Sequence, residues 1–282
     1  MVRLDRRPRL VVALGVNELE RVERAAFRSL WQHAPEHVAQ ELGIATAEVG
    51  GATCVSFRAP TTMLNRALGI GVDRPATEED LLAITEFFVA RAQRFAVAVA
   101  PNALPESLPE MLGAHGFEPG YAWMKFRRGT DPPAGVGTDL DVVEIGADRG
   151  EDFGVVVAEA FGLPPAAVSW WSGIAGAPGW HCFVGNADGE PAAAGAVYVD
   201  GATAWLGAAG TRPEFRGRRG QGAILAARLA VAKRLGAEIA VTETGERTPD
   251  RPSASYRNIL RAGFEEAYLR PNYEVDVSGA TR

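Results

Sequence analysis

The stretch Thr211-Arg-Pro-Glu-Phe-Arg-Gly-Arg-Arg-Gly-Gln-Gly-Ala-Ile-Leu225 decides how the rest of the chain is read. Residues 203–209 before it read as a strand, and residues 222–235 after it read as a helix. Pro213 has no N–H to give to a sheet ladder and marks the end of the strand. Gly217, Gly220 and Gly222 let the backbone come close to a ligand, while Arg216, Arg218 and Arg219 supply positive charge. The first amides of the following helix have no intrahelical partner and point back into the loop, where the helix dipole favours an anion. Strand, basic glycine loop and helix together describe a cradle for a pyrophosphate.

Two common phosphate loops do not fit. A Walker loop continues Gly-Lys-Ser/Thr, whereas Ala223 and Ile224 follow Gly222. A dinucleotide fingerprint has Leu225 where its third small residue belongs. What does match is Pro213, Glu214, an aromatic residue, Arg216 and Gly217 leading into a long helix. Here the sequence resembles the GNAT superfamily of acyl-CoA N-acyltransferases, whose Arg/Gln-x-x-Gly-x-Gly/Ala loop holds the pyrophosphate of coenzyme A. Two registers are open. Starting on Arg216 puts the small positions on Arg219 and Gln221; starting on Gly217 puts them on Gly220 and Gly222.

The resemblance implies a function and a set of residues. Ala209, Gly210 and Thr211 correspond to the end of a splayed strand whose backbone N–H stabilises the thioester oxyanion. Arg216, Gly217, Arg218, Arg219, Gly220, Gln221, Gly222 and Ala223 correspond to the pyrophosphate loop, and Asn258 to a cofactor-contacting Asn on a later helix. Glu243, ending the neighbouring strand, is the candidate base. The family's acid, a Tyr four residues before a closing Gly-Phe, falls on Ile259, which cannot serve, so Ser255 and Tyr256 are the candidate acids. The implied reaction is acetyl transfer from acetyl-CoA, without metal, to an amine on a small molecule or peptide.

The same closing Gly-Phe occurs twice, at Gly116-Phe117 and at Gly263-Phe264. This suggests two GNAT-like domains: a degenerate one over residues 1–128 without the loop, a linker over 129–138 rich in Pro and Gly, and the acetyltransferase domain over 139–282. The expected fold class is α/β (α+β), each domain a mixed, mostly antiparallel sheet flanked by helices. In the first half, strands are expected over 10–16, 52–57, 95–100 and 121–126. A helix is expected from an Asn17 cap to about Trp31, and another behind a Thr77/Asp80 capping box. In the second, strands are expected over 141–145, 180–185, 191–199, 203–209 and 237–242. The region 268–277 reads as a hairpin turning at Pro271-Asn272. Helices over 152–161 and 165–174 bring Trp170 and Trp171, read as core or domain-interface anchors in preference to lining of an acceptor pocket. On the helix after the loop, Leu225, Leu229 and Ala232 face inward and Arg228 faces out.

Composition narrows the class. The 282 residues carry a net charge of −6, with 47% hydrophobic and 23% charged residues. This is ordinary globular composition and argues against a general nucleic-acid binder. No apolar run reaches membrane-spanning length, and the basic N-terminus followed by residues 10–16 lacks a cleavage site. Cys54 and Cys182 have no metal spacing and read as reduced, buried thiols of a cytoplasmic protein, monomer or homodimer. His33 and His37 straddle Pro35 and read as surface residues. Alternatives are a non-catalytic acyl-CoA sensor, another acyl or aminoacyl transferase, and a nicotinamide dehydrogenase, the last disfavoured by Leu225.

Overall fold

The computed structural model describes residues 15–59, 61–133, 136–250 and 253–279. Most of the strand expected over 10–16 lies outside them, and Val16 already opens helix α1 (Val16–Gln32). Its N-cap is Gly15, not Asn17. Asn17 lies within the first turn and accepts a hydrogen bond from the Asn102 side chain instead of capping amides of its own helix. Along α1, Leu19, Val22, Ala26, Phe27, Leu30 and Trp31 fall on one face at helical spacing and are buried.

The first half continues with α2 (Glu36–Leu42), β1 (Ala45–Val49), β2 (Ala52–Ser56), β3 (Arg66–Leu68), α3 (Glu78–Val89), β4 (Arg94–Ala98), α4 (Leu108–Ala114), β5 (Glu118–Pro119) and β6 (Trp123–Gly129). The second half contains β7 (Asp141–Ile145), α5 (Gly150–Phe161), α6 (Ala167–Ser172), β8 (Trp180–Ala187), β9 (Glu190–Asp200), β10 (Thr203–Thr211), α7 (Gly220–Arg234), β11 (Ile239–Gly245), α8 (Ala254–Arg261), β12 (Glu265–Arg270) and β13 (Asn272–Asp276). Two local signals are realised as read. The capping box of α3 is complete: Asp80 N–H donates to Thr77 Oγ1 at 3.2 Å and Thr77 N–H donates to Asp80 Oδ2 at 3.0 Å. Asp188 and Gly189 both take positive φ between β8 and β9, the backbone a tight two-residue hairpin needs.

The two sheets are mixed and mostly antiparallel, as expected, with helices packed on them. Their strand orders are β1-β2-β3-β4-β13-β5 and β12-β6-β11-β10-β9-β8-β7. The halves exchange strands. β6, which precedes the linker, lies between β11 and β12 of the second sheet. β13, at the far end of the chain, lies between β4 and β5 of the first. The hairpin expected at Pro271-Asn272 therefore does not form. Pro271 cannot donate, and its carbonyl accepts from Val99 N–H at 3.0 Å, so the chain crosses between sheets there.

A single cluster of buried apolar side chains joins α1 and β2 to α5, α6, β8 and β10. The Trp170 indole N–H donates to Leu30 O at 3.0 Å, and its ring meets Trp31 edge-on at 4.8 Å and stacks on Phe57 at 5.7 Å. Trp170 is the inter-half anchor that its sequence context suggested. Cys54 and Cys182 are both free and buried. Burial first, then Glu48, pushes the Cys54 thiol up to about 12. His33 is half-buried, with Nδ1 2.8 Å from Ser29 O, and His37 is exposed.

Candidate active site

The site begins where two parallel strands part. β10 and β11 pair at Thr203 with Ile239, Ala204 with Ala240 and Trp205 with Val241, and no further, although both strands continue. On its other edge β10 stays paired with β9 but bulges between Gly207 and Gly210, with Ala208 at φ 47°. A bulge bends its strand and frees backbone groups from the ladder. Thr242 Oγ1 donates to Leu206 O at 2.7 Å and closes the slot at its narrow end.

Arg228 was expected on the outer face of its helix. It is 2% exposed, and Nη1 donates to Ala196 O and Gly207 O, both at 3.1 Å. The bulge explains the difference: β10 and β9 present carbonyls to α7, and the arginine satisfies them. Burial without a carboxylate partner lowers its pKa to about 9, so the guanidinium is still cationic at neutral pH.

Beyond β10, Pro213–Phe215 form one short turn and α7 begins at Gly220. Among the described residues, the amides of Gly217, Arg218, Arg219, Gly220 and Gln221 have no backbone acceptor. Arg219 caps the helix in the left-handed region at φ 61°, which a non-glycine residue rarely adopts. A Cβ at Gly220 would stand 2.6 Å from Leu140 Cδ1 and 3.2 Å from Ala193 Cβ, so a side chain here would have to displace the tip of buried Leu140. Arg218 is held by Asp139 at 2.7 Å, whereas Arg216 and Arg219 are exposed. Asn258 Nδ2 donates to Gln221 Oε1 at 2.7 Å, tying α8 to the first turn of α7.

The slot opens into a cavity of about 260 Å³ lined by both halves. Gln221, Ser255 and Ile259 line it beside the loop, Ala209 lies on β10, and Glu243 on β11. From the first half come Phe27, Trp31, Met63 and Arg66. Trp171 lines it as well, unlike its neighbour Trp170. Gly210 and Thr211 do not line it: they pair with Ala194 and Ala193, and α5 brings Ala160 against Gly210. Tyr256 does not line it either. Its hydroxyl donates to Glu266 at 2.5 Å, and burial, then Glu266, raises its pKa to about 12.

Glu243 stands in a buried cluster that sequence reading missed. Arg270, fully buried, donates to Glu20 Oε2 at 2.9 Å, to both oxygens of Glu23, and to Glu243 Oε2 at 2.8 Å. Lys125 Nζ donates to Glu23 at 2.6 Å and to Glu243 at 3.0 Å. Tyr268 donates to Glu20 at 2.6 Å. The two central carboxylates part company. Burial alone would raise Glu23, but Arg270 and Lys125 outweigh it and hold the group well below the usual range. Glu243 is raised, by burial first and by the Glu23 charge second, because its three cations only partly offset both. Of the two, Glu243, the member that lines the cavity, therefore keeps its proton to higher pH.

No family model matches the sequence, and no curated protein sequence matches it significantly. Solved structures do. A tandem GNAT protein from the clavulanic acid biosynthesis pathway is 19% identical, with 94% of this chain and 97% of that one covered at a TM-score of 0.54. The fold is that of a tandem GNAT protein. A GCN5-related N-acetyltransferase from Kribbella flavida is 19% identical over 91% of this chain and 95% of that one, TM-score 0.55. Another from Sphaerobacter thermophilus is 16% identical over 80% of each, TM-score 0.58.

The doubled GNAT fold lets the halves be compared. In the first, β3 and β4 stay paired from Arg66 with Ala96 to Leu68 with Ala98 and end together, so no slot opens. Its counterpart of the loop is filled by its own chain: Leu104 N–H donates to Gly71 O at 2.8 Å and Ala76 N–H to Leu104 O at 2.7 Å. Glu78, Glu79 and Asp80 occupy the first turn of α3 where a phosphate would sit.

Proposed function

We propose that this chain is an acetyl-CoA-dependent N-acetyltransferase, with residues 139–282 holding coenzyme A and residues 1–128 walling the acceptor side. The observation that carries this reading is the run of open amides from Gly217 to Gln221 at the mouth of a splayed-strand slot with Glu243 across it. Because α7 starts at Gly220, the register beginning on Gly217 puts Gly220 and Gly222 in its first turn. In that register the open amides cradle the pyrophosphate, aided by the α7 dipole and by Arg216 and Arg219. Ala208 and Ala209 have no register partner on β9, which leaves the Ala209 amide to stabilise the oxyanion.

The acceptor nitrogen, neutral when it attacks, forms a C–N bond to the thioester carbonyl carbon as the C–S bond breaks. Its surplus proton passes to Glu243, and the leaving thiolate takes a proton from Ser255 or water. Holding thioester and amine together in one cavity contributes much of the rate.

Ile259 lines the cavity where the resemblance places a tyrosine acid. That favours, as the second reading, an acyl-CoA-binding module without turnover. Calorimetric titration with acetyl-CoA, followed by thiol release with a panel of amines, separates the two. Binding with amine-dependent release supports the transferase, binding alone supports the sensor, and no binding removes both.

A further inference from the structure

Arg66 belongs to the first sheet yet lines the cavity built on the second. It is 2% exposed, with its guanidinium 4.7 Å from the Phe27 ring centre and 5.1 Å from that of Trp123. Its nearest carboxylate oxygen, Glu243 Oε1, is 3.7 Å from Nη2, beyond hydrogen-bonding reach. Nε and Nη1 have no partner among the described residues. Burial, outweighing Glu243, lowers the pKa of the group.

Two more donors in the same wall share this condition. The indole N–H groups of Trp171 and Trp205 are buried, line the cavity and have no partner among the described residues. The other buried tryptophans are satisfied: Trp31 donates to Ser56 O, Trp170 to Leu30 O and Trp180 to Ser29 Oγ. Buried donors without acceptors are rare and costly in folded proteins. Of the unpartnered buried donors among the described residues, those of Arg66, Trp171 and Trp205 belong to cavity-lining side chains and Arg270 Nε does not; the unpartnered oxygens, Thr46 Oγ1 and Asn272 Oδ1, do not line the cavity either. The wall lacks acceptors, and a ligand rich in oxygen would supply them.

We propose that the acceptor is an apolar α-amino acid whose carboxylate is held by Arg66. This rests on the transferase reading above and names its substrate class. An α-amino acid carries amine and carboxylate on one carbon, so the two can engage Glu243 and Arg66, whose facing atoms are 3.7 Å apart. The Trp171 and Trp205 N–H groups give further donors to the carboxylate, and Leu30, Met63 and Leu64 give the side chain an apolar wall. A polycationic amine fits poorly, because the described lining carries two arginines, Arg66 and Arg228, and one carboxylate, Glu243.

The test compares L-leucine with isoamylamine and L-phenylalanine with phenethylamine, pairs that differ only in the carboxylate. Each is titrated calorimetrically into the full chain saturated with coenzyme A. The amino acids are expected to bind at least about tenfold more tightly than their decarboxylated partners, as a charge-assisted hydrogen bond implies. Arg66→Met should erase that ratio while leaving coenzyme A affinity unchanged, and Arg66→Lys should restore part of it. Trp171→Phe, which keeps the ring and deletes one donor, should weaken amino-acid binding about twofold to tenfold. Should Arg66→Met not fold, the wild-type ratio and the Trp171→Phe variant still decide. Equal affinity within each pair, no binding by either member, or an unchanged ratio in Arg66→Met overturns the proposal. Failure to bind acetyl-CoA instead counts against the transferase reading, which the amino-acid titrations leave untouched.

Discussion

Glu243 and Glu23 contact the same two cations, Arg270 and Lys125, and yet titrate in opposite directions. The difference is position: Glu23 is gripped through both oxygens by Arg270, while Glu243 also feels the Glu23 charge. A carboxyl with a raised pKa keeps its proton to higher pH, so the base form of Glu243 appears only as pH climbs through a value above the ordinary 4.5. The rate of coenzyme A release is therefore expected to fall on the acid side with a midpoint above 4.5. Glu243→Gln should flatten that limb and lower kcat by about 10²- to 10⁴-fold, with acetyl-CoA affinity preserved. The stability linkage runs oppositely for the pair. The lowered Glu23 contributes stability at neutral pH that is lost as acid protonates it; the raised Glu243 contributes at low pH and loses that contribution as pH rises through its folded value. Glu243 could be read from sequence because it ends the strand beside the loop. Glu20, Glu23, Arg66, Lys125 and Arg270 could not, because each charge looks like a surface residue until its distant partners are known. The one visible hint was that Glu20 and Glu23 share α1's buried face with Phe27.

Helices α3 and α7 follow strands in equivalent places, and their N-termini have opposite chemistry. Carboxylates fill the first turn of α3, while α7 follows exposed arginines and opens with glycines, the Gly220 and Gln221 amides having no backbone acceptor among the described residues. One coenzyme A per chain is the expected calorimetric stoichiometry, and a value of two would show that the first half also binds. Gly222→Glu places an anion in the cradle, where a Cβ already comes within 3.1 Å of Val136, and should reduce affinity by about tenfold or more. Arg216→Ala, at an exposed position, should cost about twofold to fivefold and less at high salt. Both variants are expected to keep wild-type circular dichroism. At this scale much was legible, because capping boxes, tight turns and glycine loops are local. The inward turn of Arg228 was not, since it answers carbonyls that a bulge on another element leaves open.

The exchange of β6 and β13 is expected to make the two halves fold and unfold as one unit. Neither sheet is complete from its own half: β11 and β12 flank β6, and β4 pairs along its whole length with β13. Sequence could not reveal this, because period-two alternation shows that a segment is a strand and not which sheet receives it. The same interface buries the ion cluster and the shared aromatic core. Arg270→Met would leave three buried carboxylates with two cations, Lys125 and Arg66, and is expected to cost about 3–5 kcal/mol in denaturant melts. Ending the chain at Arg270 should do more. β4 would become a bare edge, β5 would lose its neighbour, and the first sheet would break between them. Calorimetry on the full chain should accordingly show a single unfolding transition, with no separate melting of a first and a second domain. Chains covering 1–138 and 139–282 should each fail to fold alone, because one lacks β13 and the other lacks β6. Expressed together, they should exchange those strands, associate and bind acetyl-CoA. Two resolved transitions in the intact chain, or a 139–282 fragment that binds acetyl-CoA by itself, would mean that the halves are independent and that the exchanged strands only decorate them.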